Sequence, residues 1–153
     1  MVYEDICNLG MDQLVITQYK KILKILQENS NILILKIPIE KVKSKEEKER
    51  EELQTKNCLI FKKLEKFFLE SRLCRKNGTI IKMEKAKKGY YMTDNWYLYK
   101  YNKDVRKVLQ EYPNIYAFAD WIDLCFVSEN KIILQTIAHE GMCFGLAELF
   151  GDI

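Results

Sequence analysis

Two apolar runs, Trp121–Ser128 and Lys131–Ala138, are separated by only Glu129 and Asn130. A two-residue break between stretches rich in Ile, Leu, Phe and Val leaves a tight antiparallel hairpin as the natural solution. Asn130 is the residue suited to the positive φ that such a turn demands. With the turn at 129–130, Ile122 faces Ile137, Leu124 faces Gln135 and Phe126 faces Ile133. The same register sets Asp120 opposite His139, where a carboxylate would orient the imidazole and favour its charged form.

The rest of the chain supplies helices and further strands. Residues 12–28 read as a helix capped by Asp12, with Val15, Tyr19, Ile22 and Leu26 on one face. Asn29-Ser30-Asn31 ends it, and Ile32–Ile37 reads as a buried strand stopped by Pro38. Ser44 and Glu47 form a capping-box signature, which predicts a long helix from about residue 45 to the Asn77-Gly78 stop. Its first turns are charged all round. Later, Leu53, Ile60, Leu64 and Phe67 give it one apolar stripe. Residues 79–84, 90–93 and 96–101 read as strands, 103–111 as a short helix capped by Asn102, and 146–150 as a last helical turn. The fold class expected is α+β: a mainly antiparallel sheet with an N-terminal helix and one long charged helix packed on it, in a single domain over 1–153.

The 153 residues can bury a core of their own, and 48% hydrophobic with 31% charged residues is ordinary for a globular chain. The abundance of Lys, Ile, Asn and Tyr suits an AT-rich bacterial or phage genome. No stretch has the apolar length of a membrane span, and Glu4 and Asp5 stand where a secretion signal carries positive charge. The expected location is therefore cytoplasmic. The five cysteines, Cys7, Cys58, Cys74, Cys125 and Cys143, include no CxxC pair, so buried thiols are expected rather than a disulfide framework or a zinc module. No metal site and no cofactor is expected.

Charge is distributed unevenly. Residues 75–107 hold ten Lys/Arg against three Asp/Glu, whereas residues 108–153 hold one Lys against seven Asp/Glu. In the basic segment, Lys85, Lys87 and Lys88 precede Tyr97, Tyr99 and Tyr101, a mixture of cations and stacking rings that suits single-stranded nucleic acid. In the acidic segment, Asp120, Asp123, Glu129 and Glu140 could meet a basic protein. His139 is the single histidine. Cys143 lies four residues on, so a nucleophile system with His139 and Asp120 can be drawn. Its neighbours Met142 and Phe144 are apolar, however, and nothing marks a thiolate-stabilising setting. A structural Asp120–His139 pair is the preferred reading.

The segment from Asp123 to Phe126, followed by a turn and Leu134-Gln135-Thr136-Ile137-Ala138-His139-Glu140-Gly141, resembles the ending of small bacterial families of unknown function, some of them immunity-protein-like. The resemblance covers the chain from Asp120 onward and departs from the usual pattern at Ala138, where Thr is common. It implies a small protein-binding inhibitor with no active site to carry across. The expected function is a non-enzymatic intracellular protein-binding domain, of the immunity or antitoxin kind, whose partner is a cognate toxin or a complex subunit. The alternative is a nucleic-acid-binding module using 75–107. A homodimer through the charged extension at 45–56 stays open.

Overall fold

Apolar residues at helical spacing bury together against a sheet whose strands alternate between two faces. The computed structural model describes residues 6–8, 18–39, 45–46, 49, 59–75, 93–118 and 122–151. In chain order the described elements are β1 (Ile6–Asn8), α1 (Tyr19–Asn29), β2 (Ile32–Ile39), α2 (Leu59–Leu64) with a 3-10 turn (Glu65–Phe67), β3 (Phe68–Arg75), β4 (Thr93–Lys100) and α3 (Lys103–Gln110). They continue with β5 (Asp123–Ser128), β6 (Lys131–Ile137), a second 3-10 turn (Ala138–Glu140), β7 (Met142–Leu146) and α4 (Ala147–Phe150). The seven strands form one antiparallel sheet in the order β1-β7-β6-β5-β2-β4-β3. The fold is α+β, as the patterns imply.

One face of the sheet carries the main core. Leu33, Leu35, Tyr99, Leu124, Phe126, Leu134 and Cys143 meet Ile22, Leu23 and Leu26 of α1, Ile60 and Leu64 of α2, and Val105 and Leu109 of α3. Tyr19, Ile22 and Leu26 bury as their spacing predicts. α3 touches both α1 and α2. Its start follows local chemistry: the Asn102 side chain accepts from the Val105 N–H at 3.0 Å. The opposite face holds a smaller buried cluster of Ile34, Trp96, Leu98, Cys125 and Val127, to which no described helix contributes. β2 and β4 therefore bury residues on both faces, which explains the unbroken apolar run at 32–35.

Four expectations need correction. The long helix does not continue to residue 76: the chain becomes extended at Phe68, and β3 pairs along β4. Leu-Glu-Ser-Arg-Leu favours a helix locally, and pairing with an aromatic strand outweighs that preference. Phe68 meets Tyr99 edge to face, with ring centroids 5.7 Å apart. Second, β2 runs through Pro38 to Ile39. Beyond Lys36 it pairs with β4 alone, so a residue without an N–H is tolerated there. Third, the positive φ of the hairpin turn belongs to Glu129, at 52°. Fourth, β1 and β7 are strands that the patterns did not reveal.

The hairpin itself is present, with a shifted register. Ser128 faces Lys131 and Val127 faces Ile132, but Phe126 faces Leu134 and Cys125 faces Gln135. Ile133 is the extra residue of a bulge. Three successive apolar residues, Ile132-Ile133-Leu134, cannot alternate across a regular strand. The bulge lets Ile132 pack on the smaller cluster while Ile133 and Leu134 both reach the main core.

The expected strand at 79–84, residues 90–92 of the strand expected at 90–93, the Asp12 and Ser44 caps and most of the charged run at 45–56 lie outside the described residues. The break expected at Asp94-Asn95 is overturned, because β4 pairs with β2 without interruption from Thr93 to Lys100. Lys45, Glu46 and Glu49 of that run are helical and exposed. No helix among the described residues is long and apolar enough to cross a membrane.

Candidate functional site

The shifted register changes which carboxylate meets the end of β6. Asp123 Oδ1 accepts from the Ala138 N–H at 2.7 Å, and Thr136 Oγ1 accepts from the Leu124 N–H at 2.9 Å. Two side chains thus replace ladder bonds where β5 and β6 stop pairing, leaving fewer backbone groups unsatisfied. Asp123 is a fixture of the strand end. Asp120, the residue expected opposite His139, lies outside the described set. The His139 backbone falls in the 3-10 turn Ala138–Glu140, and its side chain is likewise outside that set. The turn ends at Gly141, whose φ of 62° is the left-handed region where glycine is unstrained. The Tyr116 hydroxyl donates to the Gly141 carbonyl at 3.2 Å.

Two of the expected acidic residues, Glu129 and Glu140, stand apart. Glu129 is exposed at the tip of the hairpin and Glu140 is exposed beyond its other end. The seven residues of β6 lie between them, a span of about 20 Å at the rise of a strand. Glu148, also exposed, pairs with Lys131 at 3.3 Å.

The two described thiols are enclosed. Cys125 and Cys143 are not in disulfides and both are fully buried. Burial pushes the Cys125 thiol up from its ordinary value, the direction that disfavours a thiolate, against a smaller opposing pull from Lys36. Cys143 stands in the main core, which gives a substrate no approach to its sulfur. No group of three or more His, Cys, Asp or Glu that could hold a metal occurs among the described residues.

The aromatic side chains of the basic segment also turn inward. Tyr99 is 2% exposed and Tyr101 is 4% exposed. The Tyr101 hydroxyl donates to the Leu23 carbonyl at 2.7 Å, and its ring meets Phe126 with centroids 4.9 Å apart. Tyr97 is half-buried and meets Phe61 at 5.2 Å. Burial raises the hydroxyl pKa of both Tyr99 and Tyr101. The stacking platform expected on 75–107 therefore loses Tyr99 and Tyr101 to the core, while Lys85, Lys87 and Lys88 lie outside the described residues.

Two features escaped the sequence patterns. Lys36 and Trp96 are cross-strand neighbours, and the Lys36 ammonium sits 4.6 Å from the centre of the Trp96 ring. Trp96 Nε1 is buried without a hydrogen-bond partner. The second feature is the outer surface of the helices. Lys20, Lys21 and Lys24 of α1, Lys62 and Lys66 of α2 and its 3-10 turn, and Lys103 and Lys107 of α3 are all exposed. The amphipathic periodicity of each helix could have located them, but the three helices come from distant parts of the chain. Only packing shows that they share one side of the sheet.

No protein-family model, no curated protein and no solved structure matches this chain. The immunity-protein resemblance of the tail accordingly rests on its own residues.

Proposed function

We propose that this chain is a non-enzymatic intracellular protein-binding domain, of the immunity or antitoxin kind, acting on a cognate bacterial partner protein. The observation that supports this reading is three exposed large apolar side chains, two of them adjacent: Leu59 at 57%, Phe68 at 45% and Leu69 at 44%. They are the large apolar residues left in water among those described. Covering such side chains is favourable by ~25 cal/mol per Å² of apolar surface. Phe68 and Leu69 open β3, which ends the sheet order.

The chemistry of β3 favours docking by side chains over strand addition. Its register shifts at Leu69, and Glu70 pairs with Arg72 immediately after. Bulges and charges on a terminal strand discourage edge-to-edge pairing. Glu129 and Glu140 would touch separate parts of a partner, and Asp123 would support the strand end without contact. The test is co-purification with the product of the neighbouring gene. The double substitution Phe68→Ser and Leu69→Ser should weaken capture at least tenfold with a modest fall in melting temperature from the lost Phe68–Tyr99 contact, and Leu69→Ser alone should weaken capture with the melting temperature nearly unchanged. Undiminished capture by the double variant, or no complex with the neighbouring product at all, would remove this reading.

A further inference from the structure

We draw no further inference here: the strongest candidate, the buried cluster of Ile34, Trp96, Leu98, Cys125 and Val127 on the sheet face opposite the helices, where Trp96 Nε1 has no hydrogen-bond partner and the Lys36 ammonium sits over the same ring, carries nothing because nothing among the described residues shows what covers it.

Discussion

The helix layer and the C-terminal hairpin treat charge in opposite ways. Lysines separated by up to 87 positions, from Lys20 to Lys107, gather on one side of the sheet because α1, α2 and α3 each turn their apolar stripe to the same core. Glu129 and Glu140, only eleven positions apart, are carried to opposite ends of one strand. A helix repeats its outward face every turn and can build a patch from short spacings. A hairpin advances about 3.3 Å per residue, so charges flanking a strand separate with its length. Net charge over a sequence window is therefore a poor guide to surface potential when the window spans an extended strand.

Four measurements bear on this contrast, the largest effect first. The Tyr19 hydroxyl ties α1 to α3 through the Leu109 carbonyl, the Tyr101 hydroxyl ties the end of β4 to α1 through the Leu23 carbonyl, and burial raises the hydroxyl pKa of both and of Tyr99. Neutral hydroxyls are favoured in the fold, so their stabilisation is complete below the ordinary tyrosine value of about 10 and is lost as pH rises beyond it. Thermal melts should hold steady through mildly alkaline pH and then collapse, with the phenolate absorbance of these three buried tyrosines appearing together with unfolding. Phenolate absorbance from all nine tyrosines well before unfolding would detach the helix layer from the core.

The next effect tests the hairpin side. Phe126 packs edge to face on Tyr101 in the main core, so Phe126→Ala should cost ~3–5 kcal/mol in urea denaturation. A loss under 1 kcal/mol would mean that the hairpin contributes little to the core. Thr136→Val keeps the shape but strands the buried Leu124 N–H, and should cost about 1–3 kcal/mol. The smallest effect lies at the start of α3. Asn102→Ala removes the acceptor for the Val105 N–H and should cost ~1 kcal/mol. Equal stability would show that α3 is positioned by Val105 and Leu109 alone.

Much of the frame was legible from local pattern. The Glu129-Asn130 break, the apolar run from Ile32, the Asn102 cap and the stripe through Tyr19, Ile22 and Leu26 all act over a few residues, and each element stands where they place it. The remainder depended on distant partners. Residues 68–75 become a strand because β4 is available to pair with them, and no local spacing reports that. β1 is three residues long and exists through pairing with β7. The bulge at Ile133 satisfies two cores at once, so the register could not be counted from the turn alone. Asp123 holds the end of β6, and the expected Asp120–His139 pair lies outside the described side chains.

The register of β5 against β6 decides where the hairpin's carboxylates go, and nuclear Overhauser contacts across that pair measure it directly. Cross-strand backbone contacts linking Phe126 to Leu134 and Cys125 to Gln135 are expected, with Ile133 unopposed. A continuous ladder linking Phe126 to Ile133 and Leu124 to Gln135 would contradict the bulge and return the strand end to the Asp120–His139 arrangement.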